Sequence, residues 1–193
     1  RIYYDLSANP RPHAGLAEAY ARLGRTDEAI AEYLIALDLT PVMEPRPWLY
    51  IGPEPFSRRL AGLEELCRSA GRHEAMIDAY ARERSRLGTE TASARPDLVR
   101  ARVRRNLWLT TSCMMRNGKA AEVVNLWAKW CGRFPDDAAQ AAAEAVNSGV
   151  DPDAALVPFS AMRADVDWLK GAKMATAAVL CAAGRTAEAK AIL

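Results

Sequence analysis

Histidine appears only twice in the 193 residues, and the four cysteines, Cys67, Cys113, Cys131 and Cys181, never pair as C-x-x-C. That excludes the usual zinc spacings. Each cysteine stands in a helical pattern among apolar neighbours, so all four are expected as small core residues. The longest stretch without a charge, Met174 to Gly184, has eleven residues, against the roughly 18 or more needed to cross a bilayer. No transmembrane helix is expected, and the opening "RIYYDLSANP" lacks the order of a secretory signal. A cytoplasmic rather than a secreted location follows as an expectation. Charge of one sign is also scarce in excess: the formal net charge is +2, too small to draw the whole chain onto nucleic acid or an anionic membrane. No G-x-G-x-x-G, P-loop or G-x-S-x-G occurs, and "HEAMI" is not H-E-x-x-H.

Helical periodicity is plentiful. In "AEAYARLGRTDEAIAEYLIALDLTP", residues 17 to 41, and the Leu16 just before it, Leu16, Ala17, Tyr20 and Leu23 recur at three- and four-residue spacing, as do Ala29, Ile30, Tyr33, Ala36 and Leu37. Two amphipathic helices therefore flank Gly24. Gly24 suits the left-handed end of the first helix, Thr26 the cap of the second, and Pro41 its stop. Ala17 and Ala29 are small where the two helix axes approach.

Residues 10 to 43 resemble a tetratricopeptide repeat, with Leu16, Ala17, Tyr20, Gly24, Ala29, Tyr33, Ala36 and Pro41 at that family's offsets and His13 where it often has tryptophan. Such a hairpin cannot bury its own apolar face, so copies are required. "AGRHEAMIDAY", "RNGKAAEVVNLWAKWCGRFP" and "VLCAAGRTAEAKAIL" repeat the pattern around Gly71, Gly118 and Gly184, and a weaker unit surrounds Gly149 with Asp151-Pro152 as a start. The five glycines are spaced 47, 47, 31 and 35 residues apart. The long spacings also suit other helical-pair repeats such as the HEAT type. The expected fold is all-α, a right-handed α-solenoid of about five antiparallel hairpins: 10–43, 57–88, 97–137, 138–165 and 166–193 within one repeat domain. Leu6 and Pro10 are spaced like Leu37 and Pro41, and the chain stops midway through a helical pattern. It is therefore expected to be a segment of a longer protein.

In this family the first helix of each hairpin lines a concave surface. Alignment by glycine puts Arg11, Arg58 and Arg105 thirteen residues before Gly24, Gly71 and Gly118, and Arg22 and Arg116 two before. Glu18, Glu65, Arg68, Trp108, Ser112 and Met115 share that face. Arginine forks hold carboxylates and stack on aromatics, so Arg11, Arg22, Arg58, Arg68, Arg105 and Arg116, with Trp108 and Met115 as an apolar pocket, are the candidate site for an acidic peptide. The family's chaperone-tail clamp is unmatched, because Ala14 and Glu18 occupy two of its slots.

The expected function is protein or peptide binding without catalysis, metal or cofactor. The alternative is an accessory domain that orients or dimerises the catalytic part of a larger enzyme, such as a bacterial glycosyltransferase. A homo-oligomer stays open. Nucleic acid is the weaker reading of the eight arginines between Arg82 and Arg105, a local excess of +5; their alternation with apolar residues fits stems lying over a core. Neither His13 nor His73 has a metal or catalytic partner in sequence. The carboxylate pairs Glu64-Glu65, Asp136-Asp137 and Asp151/Asp153 read as helix-end acids. "PRPWLYIGPEPF" is expected to plug the groove between two hairpins, and "NLWAKWCGRF" to pack helix on helix through Trp127, with Trp130 nearer the outside.

Overall fold

A computed structural model describes residues 9–40, 55–90, 96–161 and 166–192. The expectations for residues 1–8, for Pro41 and for the Trp48 segment lie outside the described residues. Within them the chain is all-helical, with ten helices and no strand: α1 (Pro10–Arg22), α2 (Thr26–Asp38), α3 (Pro55–Ala70), α4 (His73–Glu90), α5 (Pro96–Arg116), α6 (Ala120–Ala128), α7 (Pro135–Asn147), α8 (Pro152–Ala161), α9 (Val166–Ala182) and α10 (Thr186–Ile192). The chain divides into two compact units, Arg1–Thr110 and Thr111–Leu193, with the division inside α5.

One turn recurs five times. Gly24, Gly71, Gly118, Gly149 and Gly184 all have φ between 69° and 101°, the left-handed region that a side chain resists. At each, the amide one place past the glycine reaches back five residues: Arg25 N to Tyr20 O, Arg72 N to Cys67 O, Lys119 N to Met114 O, Val150 N to Ala145 O and Arg185 N to Leu180 O, at 2.8–3.2 Å. The glycine amide itself bonds the carbonyl three residues back. This paired pattern closes the carbonyl end of the first helix and starts the second almost without a linker. It also displaces the expected cap. Because the amide of Arg25 is held by Tyr20, α2 begins at Thr26 itself, and Arg25 stands at the cap position with no side-chain cap bond. At α8 the expected start holds: Asp151 accepts from the amide of Ala154 at 3.1 Å.

In the first unit, α1 packs against α2, α2 against α3, and α3 against α4. Ala17 and Ala29 are fully buried, and Ala29, Ile30, Tyr33, Ala36 and Leu37 form the buried stripe of α2. The core continues through Leu60, Leu63 and Cys67 of α3 and Met76, Ala79, Tyr80 and Leu87 of α4. Leu16 and Leu23, expected on the buried face of α1, are instead exposed, at 44% and 71% of their surface. The reason is geometric: Ala17 points at α2, and Leu16 and Leu23 point along a different line of the helix.

In the second unit, α7 packs against α6 and α9, and α9 against α8 and α10. Ala138, Ala141, Ala142 and Ala145 of α7, and Ala172 and Ala175 of α9, are fully buried. These small side chains let the helix axes draw close. Trp127 of α6 is fully buried, as expected, and its indole Nε1 donates to Thr111 Oγ1 at 2.7 Å. Trp130 is only half-buried.

The cysteine expectation needs correction at one end. Cys67 and Cys131 are buried and Cys113 is half-buried, but Cys181 is exposed. Burial pushes the Cys131 thiol pKa up.

Candidate peptide-binding surface

The candidate arginines divide between surface and cleft. Arg11, Arg22, Arg58, Arg105 and Arg116 are exposed and make no ion pair with another described residue. Arg68 is exposed but engaged, pairing with Glu65 one turn earlier on α3. Trp108 and Met115 are half-buried. Met115 and Arg116 belong to the second unit and the other six candidates to the first.

Of these residues the structure places Arg105 in a small cleft of about 50 Å³ in the first unit. Ser57, Leu60, Ala61 and Glu64 of α3 face Arg105 and Leu109 of α5 across it. Arg58 is the neighbour of the lining Ser57. Arg11 and Arg22 take no part in the cleft. Its volume suits one side chain rather than a cofactor.

The floor of the cleft is a polar network that sequence reading missed. Glu83, buried on α4, accepts from Arg102 Nε at 2.8 Å and from Asn106 Nδ2 at 2.6 Å. Arg84 Nη1 donates to Asn106 Oδ1 at 2.6 Å and also reaches Thr110 Oγ1. Thr110 in turn donates back to Asn106 O at 2.9 Å. Burial lowers the Arg84 pKa to about 10, with Glu83 acting in the opposite sense. At the cleft wall, Tyr80 donates its hydroxyl proton to Glu64 at 2.6 Å. A signal for the network was present. Met76, Ala79, Tyr80, Glu83 and Leu87 form one three-and-four stripe, and a carboxylate in an apolar stripe requires partners.

Of the seven described arginines in the arginine-rich segment, Arg84, Arg86 and Arg102 are turned inward, while Arg82, Arg100, Arg104 and Arg105 are exposed. Arg82 pairs with Asp38 at 2.6 Å and Asp78 at 2.9 Å. Arg86 Nη1 and Nη2 donate to the Leu37 and Thr40 carbonyls, both at 2.7 Å, closing the end of α2 from a distant helix. Arg86 and Arg102 also lie over the buried ring of Phe56, at 5.9 and 5.3 Å from its centroid. The reading of stems over a core is corrected to this extent: for Arg84 and Arg102 the charged heads are inside as well.

The remaining polar residues join helices. His13 Nδ1 and Glu32 Oε2 lie 2.7 Å apart, tying α1 to α2. Arg25 bonds Glu28, which holds that carboxyl below its usual range, and Arg185 does the same for Glu188. Arg72 reaches back to Asp27 and Arg185 to Asp153, so the residue after a turn glycine twice grips the first turn of an earlier hairpin's second helix. Among the described residues no group of three metal-ligating side chains occurs, and no helix is long and apolar enough to cross a membrane. The chain was compared with models of known protein families, with curated proteins and with solved structures, and it matches none of them significantly.

Proposed function

We propose that this chain is a tetratricopeptide-like right-handed helical-repeat scaffold that binds an extended acidic segment of a partner protein through the first helices of its hairpins. What supports the repeat reading is the same glycine turn, with the same pair of backbone bonds, closing five helix pairs. The observation that carries the binding site is the cleft between α3 and α5, where Arg105 stands at the rim beside Leu60, Ala61 and Leu109. An aliphatic side chain fits the apolar wall while a neighbouring carboxylate meets Arg105, and Arg58 extends the same positive edge. Glu83 does not cancel this, since Arg102 and Asn106 engage it; Glu64 keeps its charge under the Tyr80 hydrogen bond and offsets part of the positive edge.

The test is calorimetry with a peptide of alternating glutamate and leucine and with its glutamine counterpart. The acidic peptide binds, the amide peptide binds less tightly, and Arg58→Glu with Arg105→Glu weakens the acidic complex by about 1–2 kcal/mol. Raising salt narrows the difference, because exposed pairs are screened. Equal binding of the two peptides to parent and double variant removes the proposed site.

A further inference from the structure

On α3, Leu60 and Glu64 stand one helical turn apart, and on α5 Arg105 and Leu109 do the same, so each wall of the cleft presents one leucine and one charge. The two charges have opposite sign. Arg105 is exposed and pairs with no described residue, and no ion pair joins it to Glu64 across the gap. Tyr80 donates its hydroxyl proton to Glu64 at 2.6 Å, but a neutral donor leaves a carboxylate its charge. The floor is already matched, since Glu83 accepts from Arg102 Nε at 2.8 Å and from Asn106 Nδ2 at 2.6 Å. What the cleft leaves unanswered is therefore one anion on α3, one cation on α5 and the apolar surface of Leu60, Ala61 and Leu109.

We infer that Glu64 sets the specificity of this cleft, and that the partner segment it admits carries both signs: an aliphatic side chain flanked by a carboxylate for Arg105 and by a lysine or arginine for Glu64. This rests on the proposed binding role of the cleft and narrows its occupant. A wholly acidic segment seats one carboxylate on Arg105 but brings the next toward Glu64, where like charges repel in a place partly shielded from water. A mixed segment replaces that repulsion with a second ion pair. Long-range attraction works the other way, because a chain of net charge +2 draws the acidic segment more strongly. Selection of the mixed segment therefore has to come from contact with Glu64.

The experiment is calorimetry at low salt on the whole chain, with two peptides of equal length, one repeating Glu-Leu-Lys-Leu and the other repeating Glu-Leu. The parent is expected to bind the mixed peptide roughly fivefold more tightly, or better. Glu64→Gln keeps an oxygen that accepts from Tyr80 but removes the charge. It weakens the mixed complex, tightens the acidic one and abolishes the preference, with thermal melting unchanged. Arg105→Gln weakens both complexes. An acidic peptide bound by the parent as tightly as the mixed one, or a preference that survives Glu64→Gln, overturns the inference and leaves the cleft as a site for acidic segments. Failure of the parent to bind either peptide overturns the binding role of the cleft and this inference with it. The preference of the parent is measured without any substitution, so a loss of stability in Glu64→Gln leaves the test decisive.

Discussion

A Cβ on Gly171 of α9 would collide with the backbone carbonyl of Cys131, in the turn that follows α6. The obstacle is main chain, which cannot swing aside as a side chain does, and Gly171 is itself buried. Gly171→Ala is therefore expected to force the helix away from the turn and to cost about 1–3 kcal/mol or more. Denaturant unfolding reads this directly as a lower midpoint. Gly15→Ala is the companion measurement. With no described residue within 4 Å of its Cβ position, alanine there gains helix propensity and is expected to raise stability by about 0.5–1 kcal/mol. If the two substitutions shift the midpoint alike, the close approach of α9 is wrong.

The five turn glycines make a second set. At Gly24, Gly71, Gly118, Gly149 and Gly184 a Cβ meets nothing within 4 Å among the described residues, so space is not the constraint. The cost of alanine there is the left-handed backbone alone, about 1–2 kcal/mol at each site. Similar losses at all five would reflect one shared turn; a site where alanine is neutral would not have that turn in solution.

The Glu83 network gives a test with opposite signs. Glu83→Ala leaves the Arg102 guanidinium without its carboxylate in a buried place, and breaking such a pair costs about 3–5 kcal/mol. Replacing both members, Glu83→Leu with Arg102→Leu, removes the need for pairing and is expected to cost much less than the single change. A double-mutant cycle by chemical denaturation decides it. Additive losses would show that the two residues do not act as a pair.

Thiol chemistry checks burial without mutation. Cys181 is exposed and is expected to react first with a thiol reagent such as dithionitrobenzoate, while Cys67 and Cys131 react only on unfolding. The raised pKa of Cys131 adds a pH dependence of known sign. Its neutral thiol is favoured in the fold, so that contribution is complete below the ordinary thiol pKa and is lost as pH rises through it and then through the raised value. A Cys131→Ala chain should lack this alkaline component. Mass spectrometry that finds Cys131 labelled as fast as Cys181 in the folded chain would contradict the packing around α6.

Ala17→Leu probes the α1–α2 contact, where Ala17 is fully buried. Overpacking there is expected to cost about 1–3 kcal/mol, seen as a lower melting temperature.

Much of the helical plan was legible in the sequence, because it rests on local physics. The glycines at the turns must be glycine for a left-handed backbone, and the stripes on α2 must recur every three or four residues to share one face. Helix termini were less legible where the turn's own backbone bonds decide them, as when the bond to Tyr20 made Arg25, not Thr26, the residue before α2. Periodicity could say that Leu16 and Ala17 both lay near an apolar face. It could not say which neighbour occupied that face, so only the packed chain distinguished the buried alanine from the exposed leucine. The arginines show the same limit more sharply. Their charge is a property of the sequence, but whether a guanidinium faces solvent, like Arg105, or enters a buried network, like Arg84 and Arg102, depends on partners more than fifteen residues away. Desolvation is favourable only where Glu83, Asn106 and Thr110 are brought together to meet them, and that meeting is made by the folding of α4 against α5.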